Sequence, residues 1–231
     1  MKIELWSDYA CPFCYIGEKR LEKALTAIDG GDKKVEIEFK SFELDPYADR
    51  DVVSTTVDRF AAKYHLSKEE AAERIETISR MGRSEGIDFR YASTRYTNTF
   101  DSLRLTKYAQ EKGKTEIITK LFDAYFTKNM ELSDYDVLKQ IAVECGLDKD
   151  EVAAVLSGER YADEVRADEQ EAIEHGIHGV PHFLINGKYT MSGAQPTAVL
   201  KKAIEKILAE ENVDSLNGMV CGTNGCHPMQ A

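Results

Sequence analysis

The sequence predicts an α/β fold in which one sheet is assembled from both ends of the chain around a large all-helical insertion. A strand–helix–strand pattern opens the chain, a long block of helical periodicity follows, and a β-hairpin with a final helix closes it. Because strands from both ends complete one sheet, the helical block is an insertion. We expect residues 1–54 and 176–211 to form the two parts of the α/β domain, residues 55–175 the helical domain, and residues 212–231 a tail.

The opening elements follow from side-chain periodicity. Apolar and polar residues alternate from Lys2 to Asp8 and again from Val35 to Leu44, which is the pattern of half-buried strands. Between them, residues 16–28 place apolar side chains on one face of a helix.

The block from about residue 55 to 175 carries helix signals throughout. Ser67 with Glu70 and Ser133 with Asp136 have the spacing of helix N-terminal caps. The glycines that break the helices are Gly113, Gly146 and Gly158. Apolar stripes for a bundle core are Leu103, Leu105, Tyr108; Ile117, Leu121, Phe122, Tyr125; and Val137, Ile141, Val143.

The carboxyl-terminal part predicts a hairpin and a helix. Residues 183–185 and 188–191 meet across Asn186 and Gly187, a pair that favours a turn with positive φ at both positions. A final helix runs from Thr197 to about Glu210, and the amphipathic pattern is lost beyond it.

Composition excludes several functions. The chain has 231 residues and a net charge of −11, so we expect no nucleic-acid partner. We find no export signal and no apolar run of the ~20 residues that cross a bilayer. We therefore expect a soluble, cytoplasmic protein without a membrane partner, in which a C-x-x-C pair is catalytic or metal-binding.

The pair in question is Cys11 and Cys14, which stand where the first strand gives way to a helix. A sulfur at the positive end of a helix is favoured as a thiolate, and a neighbour one turn away can resolve a mixed disulfide. Cys11 should be the exposed nucleophile and Cys14 the shielded partner. Pro12 suits the first helical position, and Phe13 gives Cys11 no cationic neighbour. A zinc site usually needs four ligands, and no second C-x-x-C exists, so we predict redox chemistry and no metal.

Substrate-binding residues are expected at Pro12 and Phe13, beside the cysteines, and at Val180 and Pro181, which form a peptide-binding edge just before the hairpin. A proline here can adopt the cis form and expose the preceding amide and carbonyl to an extended substrate.

Four features together resemble a known family: CPFC at 11–14, GVPHFLING at 179–187, SGAQP at 192–196, and the long helical insertion. The chain resembles the DsbA-like thioredoxin-fold thiol oxidoreductases, specifically the cytoplasmic FrnE-like branch. The resemblance implies a thioredoxin fold around a helical domain, Cys11 as nucleophile, Cys14 as resolving cysteine and Pro181 as the cis-proline facing them. Exported members have a histidine where Phe13 stands, so the chain's role as oxidant, reductase or isomerase stays open.

Further residues carry alternatives. Cys221 and Cys226 in the tail form a second redox pair, a structural disulfide, two idle thiols or, with His227, a soft-metal site. His182 either modulates Cys11 or points away from it. Cys145 reads as a small core residue, and the charged stretch Lys68 to Glu76 as a solvated helix face.

The function predicted is protein thiol–disulfide exchange on protein or peptide substrates, with glutathione or a thioredoxin system as electron partner and no cofactor beyond the cysteine pair. One alternative is a glutathione-dependent isomerase or kappa-type glutathione transferase, which shares the insertion but typically lacks two cysteines. Another is a redox-responsive polypeptide-binding protein.

Overall fold

The fold is described by a computed structural model that covers residues 1–28, 35–217, 219–222 and 225–228, with side chains described through residue 210. The strands are β1 Lys2–Ser7, β2 Glu36–Ser41, β3 His182–Ile185, β4 Tyr189–Ser192, β5 Met219–Gly222 and β6 Gly225–Pro228. The helices are α1 Pro12–Thr26, α2 Thr56–Tyr64, α3 Lys68–Ser84, α4 Phe100–Glu111, α5 Ile117–Phe126, α6 Tyr135–Glu144, α7 Lys149–Ser157, α8 Ala162–Glu174 and α9 Thr197–Asn217, with a 3₁₀ turn at Tyr91–Ser93.

The central sheet joins the two ends of the chain in the order β2-β1-β3-β4. β1 runs parallel to β2 and antiparallel to β3, so that Ile3 lies opposite Ile37 on one side and Ile185 on the other. All of α2–α8 lies between β2 and β3 in sequence. The predicted α/β thioredoxin-like fold with a helical insertion is confirmed.

Helices cover both faces of this sheet. On one face, Ile3, Leu5 and Phe183 pack against apolar residues of α1 and α9. On the other face, Trp6 and Leu184 pack against Ala172 of α8. The alternation along β1 therefore separates the two layers, as the period of two in the sequence requires.

The helical insertion shares its core with the segment that carries the cysteines. Tyr15 of α1 stacks on Phe122 of α5 with ring centroids 5.1 Å apart, and the Tyr9 ring lies 4.8 Å from the same Phe122 ring. Cys11 and Cys14 belong to this same buried cluster. Packing of the insertion consequently fixes the position of the cysteine segment.

Asp168 of α8 fastens the insertion to the sheet. Its carboxylate accepts the Ser41 N–H at 2.7 Å and contacts the ammonium groups of Lys107 and Lys40. Its backbone carbonyl accepts the Trp6 indole N–H at 2.9 Å. A buried carboxylate with this set of donors is satisfied, so the contact holds α8 against β1 and β2.

Local signals in the sequence are confirmed in part. The capping box of Ser67 and Glu70 is present. The cap predicted at Ser133 is wrong, because the Ser133 hydroxyl donates to the Arg50 carbonyl and Asp134 caps α6 instead. Val143 was expected in the bundle core but is 46% exposed, because it lies on the outer face of α6.

The predicted hairpin is confirmed at β3 and β4. Asn186 and Gly187 have φ values of 52° and 63°. Ile185 pairs with Tyr189, so Lys188 belongs to the turn and β4 begins one residue later than expected.

In the tail, β5 and β6 pair antiparallel with Cys221 opposite Cys226. The side chains of both cysteines lie outside the described part of the chain, so the second redox pair stays a prediction. Across the described ranges, no helix combines the length and the apolar character that crossing a bilayer demands.

Candidate active site

The first cysteine lies where a short loop turns β1 into α1. Cys11 is the N-cap of the helix, with φ −89° and ψ 114°, and Pro12 occupies the first turn, as predicted. The Cys11 N–H donates to the Asp8 carbonyl at 3.0 Å. The sulfur therefore lies at the end of α1 where unpaired N–H groups favour a negative charge.

The Asp8 side chain organises this loop, a role that sequence reasoning missed. Its buried carboxylate accepts the N–H groups of Ala10 and Leu44 at 3.0 and 2.7 Å and the Thr99 hydroxyl at 2.9 Å. Burial raises the pKa of Asp8, and these donors oppose the rise. Asp8 thus ties the residues before Cys11 to the segment after β2 and to the start of α4.

The Cys11 side chain is less accessible than the sequence suggested. It is only 4% exposed, so the expectation of an openly exposed nucleophile is wrong. Cys11 instead lines a cavity of about 510 Å³, together with mostly apolar side chains. Substrate would reach the sulfur through this cavity.

The predicted peptide-binding segment lies against Cys11. The Val180–Pro181 peptide bond is cis, the form expected from the sequence. The Cys11 thiol donates to the Val180 carbonyl, with 3.4 Å between sulfur and oxygen. Gly17 of α1 permits the close approach, because a Cβ there would lie 3.1 Å from Pro181 Cγ.

Cys14 lies one turn further along α1 and is fully shielded, as predicted. Burial raises the pKa of its thiol well above the usual range, and the neighbouring Cys11 adds to the rise. Hydrogen bonding to the Ser7 hydroxyl and to the Asp8 backbone lowers the pKa of this thiol and so opposes part of the rise. Both cysteines are free thiols, and Cys14 is held protonated beneath Cys11.

The cavity beside Cys11 is lined mainly by the α1 segment and by two helices of the insertion. The loop and first turn of α1 contribute Pro12, which is buried, and Phe13, which is 37% exposed. Helices α2 and α3 of the insertion supply most of the remainder. The lining residues of α2 and α3 are Arg59, Phe60, Lys63, Tyr64, Arg74, Thr77, Ile78 and Met81. The stretch Lys68 to Glu76 is solvated as expected, but its Arg74 also lies on this cavity.

His182 is not brought to Cys11. It pairs with Trp6 in the sheet, and the two rings lie 6.4 Å apart on the face opposite α1. The Nδ1 atom of His182 contacts the Ser192 hydroxyl at 2.9 Å. Burial and the nearby His175 lower the pKa of His182. The alternation of β3 thus turns this imidazole away from the sulfur.

Two further titratable groups, one buried and one partly buried, lie outside this cavity. Cys145 caps the end of α6 and is buried, in agreement with the prediction of a core residue. Glu18 lies one turn beyond Cys14 on α1, and burial raises its pKa to about 7.

Within the described residues, no cluster of three His, Cys, Asp or Glu side chains is arranged to hold a metal ion.

Comparisons with known proteins agree with this geometry. A family model described as the DSBA-like thioredoxin domain matches residues 2–205. The crystal structure of a probable DsbA oxidoreductase, SCO1869 from Streptomyces coelicolor, is similar with a TM-score of 0.85 and 36% sequence identity, over 100% of both chains.

More distant similarities extend the comparison. The uncharacterized protein YwbO of Bacillus subtilis strain 168 is 29% identical over 207 residues, which cover 87% of this chain and 94% of YwbO. A 2-hydroxychromene-2-carboxylate isomerase shares the fold at 16% identity, with a TM-score of 0.69 over 93% of this chain and 98% of its own.

Proposed function

Because the chain belongs to the DSBA-like thioredoxin domain family, we propose that it is a protein thiol–disulfide oxidoreductase with Cys11 as nucleophile and Cys14 as resolving cysteine. The observation that carries the proposal is the hydrogen bond from the Cys11 thiol to the carbonyl of Val180, the residue before cis-Pro181. This bond places the sulfur beside the Val180 backbone, and both residues line the same cavity. An extended substrate pairing with that backbone would carry its own sulfur to Cys11.

The exchange starts from the dithiol in the reducing direction. The Cys11 thiolate attacks one sulfur of a substrate disulfide, forms a mixed disulfide and releases the other substrate sulfur as a thiolate. Cys14 then attacks the Cys11 sulfur, closes the Cys11–Cys14 disulfide and releases the second substrate thiol. Two electrons pass to the substrate, and the two protons of the dithiol end on the two substrate thiols. The oxidising direction is the reverse of these steps.

The environments of the two sulfurs support this division of roles. Cys11 lies at the helix end and lines the cavity, whereas Cys14 is fully buried with a raised pKa. A protonated, shielded thiol does not compete for substrate. It becomes the attacking group only after Cys11 has formed the mixed disulfide directly above it.

The proposal assigns the substrate contacts to Val180 and Pro181 on one side of Cys11 and to Pro12 and Phe13 on the other. Protein or peptide thiols and disulfides are the substrates, and glutathione or a thioredoxin system supplies or accepts the electrons. The cysteine pair is the only redox group required. The proposal includes a cytoplasmic location, which cell fractionation would test.

The test is reduction of insulin and refolding of a scrambled disulfide protein by matched variants. C11S should abolish both activities. C14S should trap the mixed disulfide at Cys11, visible as an added mass on the intact protein. C145S makes the same change at a buried cysteine that does not line the cavity and should retain activity. Full activity of C11S would refute the proposal.

Two other outcomes would support the alternatives. Undiminished turnover of a small glutathione-dependent substrate by C14S would favour an isomerase or transferase. Suppression of aggregation by C11S equal to that of the wild type, without exchange activity, would favour a polypeptide-binding protein. A titration of Cys11 and Cys14 against glutathione buffers then gives the direction of electron flow.

A further inference from the structure

The cavity at Cys11 has a charge opposite to that of the whole protein. The chain carries a net charge of −11, yet the charged side chains that line this cavity are all basic: Arg59, Lys63 and Arg74. A second cavity of about 560 Å³, on the other side of α1, is lined by three glutamates and by no lysine or arginine. The positive charge is therefore a local feature of the proposed substrate site.

None of these three cations forms a close ion pair with a carboxylate of the described side chains. Asp58, next to Arg59 in sequence, pairs with Lys68 at 2.6 Å. Glu76, near Arg74 on α3, pairs with Arg83 at 2.5 Å. Among the side chains described, no carboxylate forms an ion pair with any of the three cavity cations. Glu70 and Asp8 interact electrostatically with Arg74 and Arg59, respectively, but neither carboxylate occupies the guanidinium in an ion pair. The three cations can therefore still pair with a bound molecule.

The cations differ in how firmly they are held. The Arg59 guanidinium stacks on the Tyr96 ring at 3.6 Å, and its buried Nε has no hydrogen-bond partner within the described residues. Lys63 and Arg74 are exposed at the rim. The site thus combines one partly buried charge that stacks on an aromatic ring with two solvent-exposed charges.

The cavity that contains Cys11 and the cations also has an apolar surface. It is formed by Phe13, Phe60, Tyr64, Ile78, Met81 and Tyr91. Phe13 and Tyr64 are 37% and 49% exposed, so this surface is accessible from solvent. Flexible methionine and flat aromatic side chains adapt to varied apolar partners.

We propose that this site selects protein substrates whose reacting cysteine lies in an extended segment bearing an apolar side chain and flanking carboxylates. The inference rests on the proposed function, because it names the substrate class of the same sulfur. Charge complementarity argues for the acidic flanks, and the Val180 backbone beside Cys11 argues for a peptide. Complementary charge raises the rate of encounter and suppresses partners of the wrong sign.

The experiment uses three synthetic peptides that share one apolar residue and one cysteine, flanked by glutamate, glutamine or lysine. Each cysteine carries a 2-pyridyl disulfide, and attack by the Cys11 thiolate forms the Cys11–peptide disulfide and releases 2-thiopyridone, which absorbance measures. Rates are divided by those of each peptide with 2-mercaptoethanol, which removes differences in intrinsic reactivity.

We expect the glutamate peptide to react roughly tenfold faster than the lysine peptide at about 20 mM salt. This estimate takes each cavity cation to change the rate ratio by about twofold to fivefold, the effect of one exposed charge pair. The ratio should fall towards unity at about 0.5 M salt, where exposed charges are screened. The double variant K63Q/R74Q should lower the ratio severalfold. K201Q removes a lysine of α9 outside the cavity and should leave it unchanged.

Equal normalised rates for the three peptides at low salt, or a faster lysine peptide, would overturn the inference while leaving the exchange function intact. Faster reaction of the glutathione 2-pyridyl disulfide than of the glutamate peptide would overturn the choice of a protein segment as occupant. Failure of the wild type to react through Cys11 even with uncharged 2,2′-dithiodipyridine would instead refute the proposed function.

Discussion

Glu18 allows a quantitative test of how burial acts on the helix that carries the cysteines. Its Oε1 accepts the Thr119 hydroxyl at 2.5 Å, and its buried Oε2 has no partner among the described residues. Burial raises the pKa of Glu18 from 4.5 to about 7. The folded protein therefore holds a proton that the unfolded chain has released, and Glu18→Gln removes this difference.

The sign and the size follow from linkage. Since the folded pKa is the higher one, the stability linked to Glu18 is fully present below pH 4.5 and is lost as the pH rises through 7. At about 1.4 kcal/mol for each tenfold change in proton affinity, ionising Glu18 costs the folded state about 3 kcal/mol at about pH 8. The same relation gives less than about 1 kcal/mol at about pH 5.

The assay is urea unfolding of the wild type and of E18Q at several pH values. E18Q should exceed the wild type in unfolding free energy by about 2–3 kcal/mol more at pH 8 than at pH 5. E73Q is the control, because Glu73 is an exposed glutamate of α3 and is not among the charges that act on Glu18. A difference between E18Q and wild type that does not change with pH would refute the reasoning.

Three further substitutions test the packing around the site. D8N places an amide N–H₂ against donors that now bind a carboxylate, so urea unfolding should show a loss of about 1–3 kcal/mol; an unchanged midpoint would contradict the role given to Asp8. G17A brings a Cβ to 3.1 Å from Pro181 Cγ, so insulin reduction should slow severalfold. Urea stability of G17A should change by no more than about 1 kcal/mol, because the strain of this contact offsets the gain in helix propensity. Unchanged reduction would argue against the role given to Pro181. G82A sets a Cβ 2.5 Å from the Phe89 ring, so overpacking should lower stability by about 1–3 kcal/mol, and a neutral effect in urea unfolding would show that the ring moves aside.

Features governed by local chemistry could be predicted from the sequence. The hairpin at Asn186 and Gly187 depends on two residues that tolerate positive φ, and the box of Ser67 and Glu70 depends on a spacing of three. The position of Cys11 at the start of α1 follows in the same way from the strand pattern before it. Each of these features depends on residues that lie close together in the sequence, so the sequence alone predicts it.

Features that depend on distant contacts could not be predicted in this way. Glu18 sits in an ordinary helical pattern, and only the approach of α5 buries it. Arg59 and Arg74 become part of the cavity only when α2 and α3 pack near residue 11. Asp8 carried the one usable signal, since a short acidic side chain before a helix often accepts backbone N–H groups.

The central position of β1 has a consequence for biosynthesis. During synthesis, residue 3 is made 182 residues before its antiparallel partner, residue 185. Until then the nascent chain can offer β1 only its parallel neighbour β2, and the unpaired edge of β1 is open to strands of other polypeptides. A product of premature termination within α8 would keep the Cys11 thiol but lack Val180 beside it. Such a fragment should aggregate through its unpaired strand edge and carry a reactive thiol, and it should not act as a smaller enzyme.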